Sequence, residues 1–204
     1  MRVISSWDDG HPMDLVIADA LKQNNIDGIF YIPNSNGGRQ VIKSYEIKHL
    51  SKLGFEIGGH TFSHPNDLKE LSKEQLHDEI IKNKYWLEDI IEKEITSFAY
   101  PKGRYNQGVI DELKECGYTN ARTVNVMNTT YCEDRFRINT SIHIHDKRPE
   151  YKGRKWLEVA EELLIKAKAE DGIFHFWGHT EEIMKRSLFY EFLELLEIIK
   201  KYKD

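Results

Sequence analysis

Two aspartates stand side by side at Asp8-Asp9, closing the segment Arg2-Val3-Ile4-Ser5-Ser6-Trp7 and preceding Gly10. Side chains on an extended segment alternate in direction, so adjacent carboxylates need not share one task. One can face a metal while its neighbour faces a reacting water. Gly10 lets the backbone turn away without steric cost. An acidic pair after a strand is also ordinary turn chemistry, so the choice depends on ligands elsewhere. Gly58-Gly59-His60-Thr61-Phe62-Ser63-His64 offers them. Two histidines four apart reach one point in space, and neutral imidazole is the commonest side-chain metal ligand. One aspartate with two histidines leaves coordination positions for water and substrate.

These groups need elements to position them. Strand-like and helix-like segments alternate along the chain, which predicts an α/β architecture with a mainly parallel sheet. The strands expected are 2–7, 28–32, 55–58, 95–100, 118–124, 137–145 and 173–177. The helices expected are 12–24, 44–52, one opened by the capping box Ser72-Lys73-Glu74-Gln75, one through Val109 and Leu113, one through Trp156 and Leu163, and one through Phe192 and Leu196. The candidate groups all follow strands: Asp8 and Asp9 the first, His60 and His64 the third, Pro101-Lys102-Gly103 the fourth, His179 the last. Active sites of open sheets and barrels gather at the carboxyl ends of strands.

The 204 residues suit one domain spanning 1–204. A net charge of −5 argues against a nucleic-acid partner, and no apolar run reaches membrane-spanning length. A strand that starts almost at Met1 leaves no room for a leader, and two cysteines make no disulfide framework. A cytoplasmic location is the expectation. Oligomeric state is left open.

On these residues the chain resembles the polysaccharide deacetylase family, the NodB-homology hydrolases. Ser6-Trp7-Asp8-Asp9-Gly10 is similar to the family's first motif and His60-Thr61-Phe62-Ser63-His64 matches its second. Phe98-Ala99-Tyr100-Pro101-Lys102-Gly103 resembles the third, and Trp177-Gly178-His179 the fifth. The resemblance implies a distorted (β/α) barrel holding one divalent metal ion. Zinc suits the donors best, and cobalt, nickel or iron also fit. By motif position Asp9, His60 and His64 are the ligands and Asp8 the general base. His179 is the acid that protonates the leaving amine, and the Lys102 backbone N–H is the oxyanion donor. The implied activity is removal of an acetyl group from an N-acetylated sugar or glycan. Hydrolysis of another non-peptide C–N bond, or carbohydrate binding without turnover, are the alternatives.

The chain departs from the family pattern at Ala99, where the third motif carries an arginine that holds the base. Arg122 is expected to supply that guanidinium. The fourth motif is not recognisable, so the partner of His179 is unassigned. Trp7, Tyr100 and Pro101 are placed at the substrate site beside Lys102, and Trp177 and Tyr105 are further stacking candidates. Aromatics near strand ends are as readily core. His175 is the competitor of His179 for the acid, expected instead to pack behind it. His143 and His145 are expected on a solvated strand face.

Overall fold

Period-two alternation sorts the strands into two faces, and that sorting builds the site. The computed structural model describes residues 1–203. Seven strands run β1 (Arg2–Asp8), β2 (Asp27–Ile32), β3 (Glu56–Gly59), β4 (Ser97–Ala99), β5 (Asn120–Arg122), β6 (Ile142–His143) and β7 (Ile173–His179). They form one sheet in the order β5-β4-β3-β2-β1-β7-β6 with every strand pair parallel. The helices are α1 (Asp14–Gln23), α2 (Ser44–Lys52), α3 (Lys73–Ile91), α4 (Gln107–Glu115), α5 (Trp156–Ala169), α6 (Thr180–Lys185) and α7 (Phe189–Tyr202).

The sheet curls into a distorted barrel. Its two ends are brought together by the segment before β6, which pairs with β5 through the parallel bridge Arg122–Ile138 and then joins β7. A full strand over 137–145 is therefore not formed. The segment changes partner midway and keeps strand geometry only at Ile142–His143.

Val3, Trp7, Phe30, Phe98, Phe174 and Phe176 point outward into the large core shared with the helices. The inner face is different. Ile4, Ile29, Tyr31 and Ala99 form a small apolar group with Ile173, and the same face carries Ser6, Asp8, Arg122, His143, His175 and Trp177, all buried. Large hydrophobics hold the helices against the barrel, while the lumen is reserved for polar groups.

Helix α3 ties the third strand's loop to the sheet. Ser72 caps it, accepting from the Gln75 amide (3.2 Å), and the Gln75 side chain accepts from the Ser72 amide (3.0 Å). Asn83 lies on its apolar stripe yet is fully buried. Its Oδ1 accepts from the His60 amide (2.9 Å) and its Nδ2 donates to Ile32 O (2.9 Å).

Gly59 is required by close approach: a Cβ there would stand 2.2 Å from the Tyr118 hydroxyl and 3.1 Å from Asn83 Oδ1. Gly59→Ala is therefore expected to cost about 1–3 kcal/mol in denaturant unfolding. The Tyr118 hydroxyl is buried without a hydrogen bond, so Tyr118→Phe should be nearly neutral and should relieve part of the Gly59→Ala cost. An equal cost in both backgrounds would show that the clash is not the cause.

Candidate active site

Every group of the site hangs from the carboxyl end of a strand. Asp8 ends β1 and His179 ends β7, and the two are register partners on adjacent parallel strands. Asp9 follows in a left-handed conformation (φ 75°), as do Thr61 (68°), His64 (54°) and Lys102 (56°). Left-handed backbone is costly for residues with a side chain, most of all for a β-branched one, and such strain gathers at functional sites. Gly10 (φ 58°) completes the turn after the aspartates.

Asp9, His60 and His64 converge. Asp9 Oδ1 lies 3.2 Å from His64 Nε2 and 3.5 Å from His60 Nε2. It is buried and makes no hydrogen bond. His60 Nδ1 is 2.8 Å from Ala99 O. A carbonyl only accepts, so Nδ1 carries the proton and Nε2 presents its lone pair, the tautomer a metal ligand needs. Bonds of roughly 2.0–2.1 Å to three such donors would set them about 3.0–3.4 Å apart, close to what is found. The donor set fits one divalent cation.

The surroundings of Asp8 are organised by Arg122. Its Nη2 donates to both oxygens of Asp8, and its Nη1 donates to Thr123 O (3.0 Å). The guanidinium lies over the Trp177 ring at 4.5 Å and the Tyr31 ring at 5.3 Å. Burial alone would raise the Asp8 pKa, but the charges of Arg122 and of His179 and the Arg122 hydrogen bond hold it below the usual carboxylate range. Ala99 and Arg122 are register partners on β4 and β5. The guanidinium expected from the third motif thus arises one strand over at the same level, and the small Ala99 leaves its side of the lumen clear.

The surroundings of His179 were only half visible in the sequence. His179 Nδ1 is 2.9 Å from Glu182 Oε2, on α6, a six-residue helix that follows β7 without a linker. Burial would lower the His179 pKa, yet the Glu182 hydrogen bond and the Asp8 and Asp9 charges push it up to about 9. Glu182 is held below the usual carboxylate range: burial opposes this, and the His143 and His179 rings beside it prevail. The i,i+3 spacing of His179 and Glu182 was the available signal, but it required knowing that a helix starts at Thr180. Asn83 was hidden in the same way, as a polar residue inside an apolar helical stripe.

Asp8, Asp9, His60, His64, Lys102 and His179 line one cavity of about 560 Å³, within the usual range for small-molecule sites. Pro101 is buried and opens the turn that carries Lys102, whose ammonium donates to Asn66 Oδ1. Trp7 and Tyr100 do not reach the cavity. With Asp8 and Ala99 facing the lumen, their neighbours face outward: Trp7 packs edge-on against Phe176 and Phe192, and Tyr100 stacks on Tyr105 and donates to Phe136 O. Tyr105 is half-buried against that same outer core. Trp177 does line the cavity, but His143 covers its ring at 3.8 Å.

His143 is itself buried and lines the cavity, so it is not on a solvated face. Burial pushes its pKa down to about 3. His175 lies deeper, its Nε2 2.9 Å from Ser6 Oγ, and burial with the Arg122 charge pushes its pKa down to about 3. It lines a separate cavity toward the amino ends of the strands.

Taken together, a curled parallel α/β barrel with an Asp-His-His cluster at its carboxyl end defines the class. The family profile described as polysaccharide deacetylase matches residues 2–121, more than half of the sequence, and the chain belongs to that family. Two peptidoglycan-N-acetylglucosamine deacetylases of Bacillus cereus are 31% and 32% identical over 83 and 102 residues, covering 40% and 50% of this chain. The matches span only 29% and 46% of those relatives. The family 4 carbohydrate esterase of Streptomyces lividans, solved with acetate, superposes with a TM-score of 0.65 at 14% identity, covering 98% of this chain and 86% of that one. A family 4 pseudoenzyme of Bacillus anthracis gives 0.61 at 15% identity, covering 96% and 60%. At such identities the superpositions establish the fold.

Removing the partner of a buried charge typically costs about 3–5 kcal/mol. Arg122→Met is expected to lose that much in chemical denaturation at neutral pH. Asp8 has a depressed folded pKa, so the pair stabilises above the ordinary carboxylate range and loses its contribution as pH falls through that folded value. The gap between Arg122→Met and wild type should therefore narrow in acid. A gap that stays constant would show that Asp8 is not the group being held.

Proposed function

We propose that this chain is a metal-dependent amide hydrolase that removes the acetyl group from an N-acetylated amino sugar, free or within a glycan. One convergence carries the reading: a single cavity brings together the Asp9-His60-His64 donor set, an ionised Asp8 beside it and a carboxylate-backed His179. Membership of the polysaccharide deacetylase family and the two Bacillus cereus relatives support an N-acetylhexosamine as the substrate unit.

A divalent cation on Asp9, His60 and His64, zinc by preference, would lower the pKa of water and polarise the substrate carbonyl. Asp8 takes the proton from the attacking water, and Arg122 fixes the carboxylate for that task. The Lys102 backbone N–H is assigned as a donor to the developing oxyanion. Such donors are worth about 3–4 kcal/mol each. His179 gives its proton to the departing amine, which leaves poorly while neutral. Glu182 accepts from Nδ1, which leaves Nε2 as the nitrogen free for the substrate. Trp177, already covered by His143 and Arg122, supports the site rather than stacking on a sugar.

The test is acetate release from a panel of N-acetylated sugars by metal-reconstituted protein. Release should vanish on chelation and return with zinc. Asp8→Asn and His179→Ala should each lower kcat by about 10²–10⁴, while His175→Ala should lower it far less. Because the family includes a pseudoenzyme, sugar binding without release under zinc, cobalt, nickel or iron would overturn turnover. Release from formamides or ureides alone would move the reading to another C–N bond.

Turnover needs His179 protonated, so it should fall as pH rises through the His179 pKa. Glu182→Gln keeps the acceptor and removes the charge that raises that pKa. The alkaline limb of kcat/KM should shift to lower pH. An unmoved limb would show that Glu182 does not act through His179.

A further inference from the structure

We propose that the contact between α3 and α4 carries a second cation site, separate from the barrel, in which His77, Glu112 and Cys116 bind a transition-metal ion of the zinc class. Glu112 and Cys116 are four apart at the end of α4, and His77 approaches them from α3. His77 Nδ1 is 2.7 Å from Glu112 Oε1. Cys116 Sγ is 3.6 Å from Glu112 Oε1 and 3.8 Å from His77 Nδ1. None of the three lines the cavity of the proposed hydrolase.

The spacing can be compared with what a cation would impose. Tetrahedral bonds of roughly 2.0–2.1 Å to nitrogen and oxygen and 2.3 Å to sulfur set the sulfur about 3.5 Å from each other donor. The thiol is therefore already at ligand distance from both partners. The imidazole and carboxylate, held together by a shared proton, would open from their hydrogen bond to about 3.3 Å. Binding displaces two protons to solvent: the thiol proton, and the one between His77 and Glu112 when His77 is protonated. A thiolate, an imidazole and a carboxylate select zinc-like ions over calcium or magnesium, which prefer all-oxygen shells.

Burial makes the cluster more than a surface accident. Glu112 and Cys116 are 3% and 6% exposed. Buried carboxylates are normally matched by a fixed positive charge. Among the described residues, Glu112 has an ion-pair partner only in His77, which is charged only when protonated. A bound cation would supply a permanent counter-charge. The His77 side chain is half exposed, so the cluster opens to solvent and water can take a fourth position. The ion would clamp α4 to α3, the helix that holds the His60 amide through Asn83.

Cobalt(II) titration of the 204-residue chain separates the two sites, because the barrel site has no sulfur donor. A sulfur-to-cobalt charge-transfer band in the near ultraviolet is expected to saturate with one equivalent of metal. Cys116→Ser should abolish the band and that equivalent, and Cys132→Ser should retain both. His77→Ala should weaken the band-forming equivalent by about tenfold or more, and His77→Gln, which keeps an N–H donor for the buried Glu112 but no imidazole nitrogen for the ion, should do the same. No band in the wild type, a band that survives Cys116→Ser, or unchanged affinity in His77→Ala would each overturn the site.

Discussion

The Asp8–Arg122 pair is the constraint around which the barrel is arranged. A carboxylate and a guanidinium are removed from water in the lumen of a parallel sheet, where desolvation can exceed their mutual attraction unless both are well satisfied. The fold satisfies most of their polar atoms from several strands, with Arg122 Nε left without a hydrogen bond among the described residues. β1 and β5 supply the two charges, Thr123 takes Nη1, and Tyr31 and Trp177 lie under the guanidinium. β5 and β1 are four steps apart in the sheet, so the contact exists only because the sheet curls. Curvature and charge pairing thus depend on each other, and the parallel bridge at Ile138 holds β5 near the far edge of the sheet.

That arrangement fixes what the lumen can hold. Small residues at Ser6 and Ala99 leave room for Arg122, while Ile4 and Ile29 pack with Tyr31 and Ala99 on the same inner face. The donors Asp9 and His64 then stand on left-handed turns, and His60 directly follows β3 and precedes the left-handed Thr61. Strain of this kind persists only where the surroundings over-determine it. Here Asn83 holds the His60 amide, and Glu79 accepts from the Ser63 amide and hydroxyl, so α3 supplies much of the restraint.

Much of this was legible in the sequence. The alternation of segments led to an α/β fold with a parallel sheet, the family resemblance to its curling into a distorted barrel, and the Asp8-Asp9 and His60–His64 spacings to a cluster that the fold does assemble. Ala99, read as a missing arginine, pointed to Arg122, and register explains why: the two positions face each other across β4 and β5. Period two was also sufficient to exclude Trp7 and Tyr100, since each is adjacent to a lumen-facing residue, but aromatic character outweighed parity in that reading. Glu182 and Asn83 were illegible for another reason. Their roles depend on where a short helix begins and on which face of a long one meets a loop, and hydrophobic pattern does not encode either.

The lumen also separates two tasks that similar groups would otherwise share. Asp8 and His179 are neighbours in register, yet their surroundings drive them to opposite protonation states. Arg122 keeps Asp8 ionised, and Glu182, with the charges of Asp8 and Asp9, keeps His179 protonated. Pairs whose environments push their pKa values apart are the physical basis for assigning base and acid. In the proposed reaction one proton is taken and another given within a single cavity, and an exchange between the two groups would waste the cycle. Separate counter-ions prevent it, because neutralising Asp8 would strand Arg122 and neutralising His179 would strand Glu182. The departure at Ala99 and the loss of a readable fourth motif therefore need not weaken the chemistry. Each missing group has a charged counterpart on a neighbouring element, at the level of the sheet where it is required.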